Sequence, residues 1–160
     1  MLIRPATSAD HDAIWRIIEP ILRAGETYAL PRDWDPETAL TYWFAALHQV
    51  FVAESHGEVL GHYFLTHNQK GGGAHVANCG FMVSAIATGR GVAGAMCTHA
   101  LQTAKSQGFR AMQFNFVVST NARAVALWQR MGFETIGRLP GAFDHPRLGY
   151  VDALVMYKAL

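Results

Sequence analysis

The sequence has little of what marks several common classes of protein. Its 160 residues include only two cysteines, Cys79 and Cys97, with neither a CxxC pair nor a zinc-ligand pattern. We therefore expect free thiols in a reducing compartment and no metal. No run approaches about 18 consecutive apolar residues, and no basic segment precedes an apolar run near residue 1, so neither a membrane span nor a signal peptide is predicted. These features favour a cytoplasmic protein without a membrane partner.

Charge is also scarce. Charged residues make up 16% of the chain, and the formal net charge is +1, which gives no electrostatic bias toward nucleic acid or an anionic surface. No basic cluster with interleaved aromatic residues is present, so nucleic acid is not an expected partner. Hydrophobic residues make up 51%, and a chain of this length can bury about 70% of its unfolded surface. We predict one domain over residues 1–160 with a small-molecule ligand.

Hydrophobic spacing and turn residues predict seven strands and four helices. The first helix is predicted over residues 8–24, although Pro20 should kink or split it. Asp35 and Pro36 should start a second helix that extends to about residue 48. The other two helices are predicted at residues 92–107 and 121–131, and the strands at 1–5, 50–54, 59–66, 75–84, 111–118, 133–139 and 149–158. This order predicts an α/β fold, a mixed sheet covered by helices, with a hairpin turn at 56–58.

The stretch from Phe81 to Met96 is the most informative part of the chain. An apolar, strand-like run passes through a glycine-rich turn directly into an amphipathic helix. Small residues let the backbone approach a ligand closely, and the N–H groups at the start of a helix favour an anion. We predict a cradle for the pyrophosphate of a nucleotide or coenzyme, with Arg90 as a candidate phosphate contact. The alternative is that the glycines only form a turn.

Two nucleotide-binding motifs are excluded by the residues that follow. Gly89, Gly91 and Gly94 have the GxGxxG register, but no acidic residue lies between Met96 and Arg130 to bind a ribose. No GK[ST] follows the glycines, which excludes a P-loop. What remains is a pyrophosphate bound mainly by backbone N–H groups.

Two segments resemble motifs of the GCN5-related N-acetyltransferases (GNAT). Residues 88–93 are similar to the family's [QR]xxGx[GA] motif at Gly91 and Ala93, but Thr88 stands where Gln or Arg is usual. Residues 121–133 resemble the family's Asn-x-x-Ala-x-x-Leu-Tyr-x-x-x-Gly-Phe helix. The resemblance covers essentially the whole chain. It implies the GNAT fold, a mixed and mostly antiparallel sheet of about seven strands flanked by about four helices.

The same resemblance implies acetyl-CoA as the cosubstrate, and no metal. In the family, N–H groups of the first motif bind the pyrophosphate, and the asparagine of the second contacts the pantetheine region. The coenzyme-binding residues implied for this chain are Phe81, Met82, Val83, Thr88, Gly89, Arg90, Gly91, Val92, Ala93, Gly94, Asn121, Ala124 and Trp128.

The residues for proton transfer depart from the family pattern. Many members use a tyrosine as the acid for the leaving thiolate, whereas the equivalent position here is Trp128, whose indole cannot act as an acid near neutral pH. Trp128 is equally expected to pack in the helix interface. No Glu or Asp lies within residues 75–84, where members often place a general base.

Asn78 and Asn115 lie on predicted central strands, where a buried amide must find partners. They are either structural amides or part of the site, in which case Asn78 holds the substrate and Asn115 donates to the acetyl carbonyl. Together with Asn121 they resemble the asparagine pattern of the yeast proline-analogue N-acetyltransferases, in which the matching residues are thought to bind substrate and acetyl-CoA. Catalysis would then depend on positioning and electrostatic stabilisation.

The sequence therefore predicts an acetyl-CoA-dependent N-acetyltransferase acting on a small amine, such as an amino acid or a proline analogue. Glu26, Thr27 and Tyr28 follow the first helix, a usual wall of the acceptor site in this fold, and are the candidate substrate contacts, although a surface loop can be merely solvated. The alternatives are a non-catalytic acyl-CoA sensor and an enzyme that acetylates a protein N-terminus or lysine. An exposed last strand would also permit a homodimer.

Overall fold

The computed structural model describes all of residues 1–160 and contains one sheet of seven strands flanked by four helices. The strands are β1 (Leu2–Pro5), β2 (Gln49–Ser55), β3 (Glu58–His67), β4 (Val76–Val83), β5 (Ala111–Val118), β6 (Glu134–His145) and β7 (Gly149–Ala159). The helices are α1 (His11–Ala24), α2 (Pro36–Trp43), α3 (Val92–Ser106) and α4 (Ala122–Arg130). The sheet order is β1-β2-β3-β4-β5-β7-β6. Only β4 and β5 pair in parallel, so the predicted fold class is confirmed.

Local signals explain several of these boundaries. His56 and Gly57 both have positive φ angles, 52° and 79°, which is the geometry of a two-residue hairpin turn whose twist matches that of the strands. The Asp35 side chain accepts a hydrogen bond of 2.7 Å from the backbone N–H of Thr38, and Pro36 occupies the first turn of α2. The hairpin and the start of α2 are confirmed.

Three predicted boundaries differ from those in the structure. Residues Ser8–Asp10 form a 3₁₀ turn, and α1 then runs undivided through Pro20. The second helix ends at Trp43 instead of near 48, because His48 donates from Nδ1 to the Trp43 carbonyl oxygen at 3.0 Å and stacks on Phe64 with ring centroids 4.0 Å apart. These contacts require the chain to leave the helical path.

The third difference concerns the end of the sheet. The strand predicted at 133–139 continues to His145, and a register shift between Leu139 and Phe143 accommodates Pro140 and Gly141 within β6. Since β7 lies between β5 and β6, the strand at this edge is β6 and not the last strand, as the sequence suggested.

The core is divided between the two faces of the sheet. Alternate residues of β2 and β3 point to opposite faces, so Phe51 and Tyr63 join a cluster with α3 and α4, while Val52 and Phe64 join a cluster with α1 and α2. The helices that carry both recognised motifs, α3 and α4, therefore lie on one face.

The two parallel strands pair only at one end. Their register partners are Val76 with Ala111 and Ala77 with Met112, and the strands diverge beyond these residues. The side-chain amide of Asn78 donates to the Gln113 carbonyl oxygen at 2.8 Å, so it bridges the two strands where the separation begins. The divergence opens a wedge between β4 and β5.

Backbone groups of β4 face this wedge. The backbone N–H of Ser84 donates to Leu60 and that of Asn68 donates to Val76, which shows that the even-numbered residues of β4 bond to β3. In an antiparallel pair, the backbone N–H and C=O groups of the alternate residues point away from the partner strand. The N–H and C=O groups of Cys79, Phe81 and Val83 are therefore directed into the wedge, where an amide-containing ligand can bind them.

Candidate active site

A cleft of about 610 Å³ runs from the wedge to the start of α3. Every residue that the sequence implied for coenzyme binding lines this cleft except Arg90. Arg90 is exposed, and its predicted phosphate contact has no support in this arrangement. The remaining set comes from β4, the glycine turn, α3 and α4, so residues distant in the chain converge on one volume.

The glycine turn forms the predicted cradle at the end of the cleft. Gly89 and Gly91 have φ angles of 81° and 78°, a region that other residues enter only with strain. A Cβ atom placed on either glycine would meet no atom within 4 Å, because both face open space. Gly91 is the N-cap of α3, whose first N–H groups have no partner within the helix. These features fit a pyrophosphate group.

A smaller cavity of about 290 Å³ adjoins the cleft. Its wall is mostly hydrophobic, its polar side chains are those of Thr27, Tyr28, Tyr42, Asn78, Asn115 and Asn121, and no Asp, Glu, Lys, Arg or His lines it. The two cavities share six residues, which are Thr27, Tyr28, Phe81, Asn121, Ala124 and Trp128. We call this shared set the junction.

The segment that follows α1 closes one side of the junction. The Tyr28 hydroxyl donates to the carbonyl oxygen of Phe81 at 2.7 Å, and desolvation raises the pKa of the Tyr28 phenol above its usual value. The phenol therefore stays protonated at neutral pH. Glu26 was also expected here, but it lines neither cavity, because its carboxylate pairs with Arg147 at 2.9 Å.

The two strand asparagines differ in exposure. Asn78 is partly buried, whereas Asn115 is exposed, so the expectation of a buried amide was wrong for Asn115. Its Nδ2 donates to Asn68 at 2.6 Å, and its Oδ1 accepts from Gln113 at 2.9 Å. These partners hold the amide beside the smaller cavity and leave one N–H of Nδ2 free for a ligand.

Trp128 is buried in the helix interface and also reaches the cavities. It is 8% exposed, and its ring packs against Phe81 and Phe114 with centroids 5.2 and 5.1 Å away. It also lines both cavities. The packing accounts for a large aromatic residue at this position, and no acidic group takes the place of the family's tyrosine there.

The thiol of Cys79 lies at the site but has little reactivity. Burial, with a smaller effect of Cys97, raises the pKa of the Cys79 thiol well above its usual value, so this thiol is a poor nucleophile.

Arg123 and Arg130 line the larger cleft but were not predicted from the sequence. The available signal was their spacing of four and three residues from Leu127 on α4, which places all three on one helix face.

Comparison with known proteins agrees with this geometry. Residues 12–133 match the acetyltransferase (GNAT) family, and the chain therefore belongs to that family. None of its helices is long and apolar enough to cross a membrane, and no group of His, Cys, Asp or Glu side chains is arranged to hold a metal ion.

Three relatives illustrate the range of similarity. A GCN5-related N-acetyltransferase from Kribbella flavida shares 44% identity with a TM-score of 0.95, covering 99% of this chain and 97% of that one. The N-acetyltransferase aca1 of Schizosaccharomyces pombe is 33% identical over 101 residues, which is 61% of this chain and 47% of that protein, so the match spans about half of it. A phosphinothricin acetyltransferase from Sinorhizobium meliloti in complex with acetyl-CoA has the same fold, at 21% identity and a TM-score of 0.86 over 99% of this chain and 88% of that one.

Proposed function

We propose that this protein is an acetyl-CoA-dependent N-acetyltransferase that acetylates a small amine, with amino acids or proline analogues as the acceptor class. The observation that carries the proposal is the junction, where a cleft suited to a coenzyme meets a separate small cavity. A donor in the first and an acceptor in the second would meet at Tyr28, Phe81 and Trp128. This is the arrangement that direct transfer between two bound molecules needs.

The chain's own residues would bind the coenzyme along its length. The thioester supplies the activated acetyl group. The first N–H groups of α3 and the turn at Gly89 and Gly91 hold the pyrophosphate, and the backbone groups of Phe81 and Val83 in the wedge bind the amides of the pantetheine arm. Asn121 accepts a hydrogen bond from the N–H of Ala124 at 3.3 Å, so it also caps α4 beside that arm.

Catalysis in this proposal depends on positioning and hydrogen bonding. The free N–H of Asn115 donates to the acetyl carbonyl oxygen, where negative charge develops. Asn78 donates one amide N–H to the strand bridge, and its side-chain oxygen is available to accept from the acceptor amine. Tyr28 is the one titratable side chain shared by both cavities, and its hydroxyl is bonded to the Phe81 carbonyl oxygen.

The chemistry of the smaller cavity supports this acceptor class. A volume of about 290 Å³ suits a compact molecule better than a peptide segment. A wall without charged side chains favours an acceptor with no net charge, and amides can bind both ends of a zwitterion because they donate and accept hydrogen bonds. The resemblance to the proline-analogue N-acetyltransferases at Asn78, Asn115 and Asn121 supports the same class.

A coenzyme-binding sensor is the second candidate function. Trp128 in place of a tyrosine acid, and a β4 without any carboxylate, favour it. Incubating the protein with acetyl-CoA and a panel of amines, and measuring thiol release, separates the two. The panel should contain amino acids, proline, azetidine-2-carboxylate and short peptides. Turnover with a small amine supports the enzyme, turnover with peptides alone rejects the acceptor class, and tight coenzyme binding without any turnover supports the sensor.

Replacing Asn115 by alanine should lower turnover far more than acetyl-CoA affinity. Loss of one donor to a developing oxyanion costs about 100-fold in rate, whereas Asn115 does not line the coenzyme cleft. Steady-state kinetics with the best amine and calorimetric titration with acetyl-CoA measure the two quantities.

The matched control for this experiment is Gln113→Ala. It removes a hydrogen-bond partner of Asn115 from a position that lines neither cavity. We expect at most a severalfold loss of turnover from this variant. Wild-type turnover in the Asn115→Ala variant would reject the donor role.

A further inference from the structure

Three residues form one stripe along α4 that faces the glycine cradle. Arg123, Leu127 and Arg130 are spaced by four and three residues, which places them on the same side of the helix. Leu127 lies next to the first turn of α3, since a Cβ atom built on Gly94 would be 3.7 Å from its Cδ1 atom. The two arginines therefore flank the point where α4 meets the cradle, one turn to each side of it.

These arginines are the charged groups of the cleft. Both line it, and none of the other residues that line it has a charged side chain. Both are exposed, and neither belongs to any of the chain's five ion pairs. Two guanidinium groups without carboxylate partners thus stand at the rim of a cleft that contains an anion cradle.

The glycine motif itself lacks a basic side chain directed into the cleft. Thr88 stands where the family motif has Gln or Arg, and Arg90, within the motif, does not line the cleft. We infer that Arg123 and Arg130 of α4 bind the phosphate groups of acetyl-CoA and take the place of the Gln or Arg side chain that is missing from the motif. The inference rests on the proposed use of acetyl-CoA. Arginine suits this role because its planar fork binds phosphate through paired, charge-assisted hydrogen bonds.

Neutral glutamine substitutions test the assignment. Each of Arg123→Gln and Arg130→Gln should weaken acetyl-CoA binding about tenfold, and the double variant about 100-fold, as expected for the loss of hydrogen bonds to a charged group. Arg90→Gln is the matched control, because it removes the same charge from a nearby exposed position outside the cleft, and its affinity should stay within twofold of wild type. Isothermal titration calorimetry measures all four variants.

A second measurement distinguishes phosphate binding from a general effect on the cleft. S-acetylpantetheine carries the thioester and pantetheine arm without any phosphate, so wild type and the double variant should bind it equally. Added salt should weaken acetyl-CoA binding to wild type more steeply than to the double variant, since screening acts on the charge pairs that the variant lacks. Equal melting temperatures would confirm that both proteins are folded.

The outcomes separate this inference from the proposed function. Tight binding of acetyl-CoA by wild type, with the double variant within threefold of it, overturns the arginine assignment and leaves the proposed function intact. An equal loss of affinity for S-acetylpantetheine also overturns the assignment, because phosphate is then not the group recognised. Absence of acetyl-CoA binding by wild type would reject the proposed function itself.

Discussion

Replacing Gly91 by valine should reduce acetyl-CoA affinity at least about 100-fold, because several hydrogen bonds to a charged group are lost together and each contributes about 1.5–3 kcal/mol. Gly91 caps α3 with a φ angle of 78°, and a side chain added there would project into the open space of the cradle. The backbone would also leave its left-handed conformation or bear a strain of about 1–2 kcal/mol. Titration of the variant with acetyl-CoA gives the affinity.

The Gly108→Val variant separates the loss of hydrogen bonds in the cradle from the effect of backbone strain. Gly108 has a φ angle of 86° and, like Gly91, nothing within 4 Å of an added Cβ atom, but it follows the far end of α3. It should lose similar stability and keep wild-type affinity. Unchanged affinity in Gly91→Val would remove the cradle from the coenzyme site, and an equal loss in both variants would attribute the effect to strain alone.

Acid should destabilise the protein through His62. This side chain is 0% exposed, neither of its ring nitrogens has a hydrogen-bond partner, and it packs edge-on against Trp43 with centroids 4.8 Å apart. Burial lowers the pKa of His62 from 6.5 to about 3. The folded protein thus holds a neutral imidazole that unfolding exposes to water.

The sign of the effect follows from proton uptake. Between pH 6.5 and about 3 the unfolded chain binds a proton at His62 that the folded chain does not, so the free energy of unfolding falls as the pH falls. The slope is about 1.4 kcal/mol for each pH unit, or about 5 kcal/mol over the whole window. A loss of that size is comparable to the total stability of many domains, about 5–15 kcal/mol.

His62→Phe provides the comparison, because it keeps an aromatic ring against Trp43 and removes the titration. Urea unfolding at several pH values should give a shallower pH dependence for the variant below pH 6.5. Asp10 contributes at lower pH in both proteins, since its hydrogen bond from Arg4 lowers the pKa of its carboxyl from 3.8 to about 2. The stability that Asp10 contributes is lost as the pH falls from 3.8 to about 2. Because this loss occurs in both proteins, it cancels when wild type and His62→Phe are compared. Parallel curves for the two proteins would contradict the role of His62.

The site was partly predictable because some of its parts are local. The turn at Gly89 and Gly91 needs positive φ angles, and a capped helix follows it directly, so its geometry can be inferred from consecutive residues. The Asn121 cap and the α4 pattern are equally local. The backbone geometry of the glycine turn at the end of the cleft was therefore predictable from the sequence.

Side-chain roles were less predictable because they depend on segments far apart in the chain. The choice between Arg90 and the pair Arg123 and Arg130 depends on how α4 packs against α3. Glu26 leaves the acceptor wall because Arg147 of the distant β6–β7 turn binds it. Neither fact has a signal within a short window of sequence.

The amino-acid sequence alone determined the order of the helices and strands, the glycine turn and the hairpin turn. Hydrophobic periodicity, capping residues and glycine conformations act over a few residues, so they can be read from a short segment. Tertiary packing set the end of α2, the wedge between β4 and β5, the exposure of Asn115 and the burial of His62. Each of these depends on which distant backbone or side chain comes into contact, and such contacts are established only when the sheet and its helices assemble.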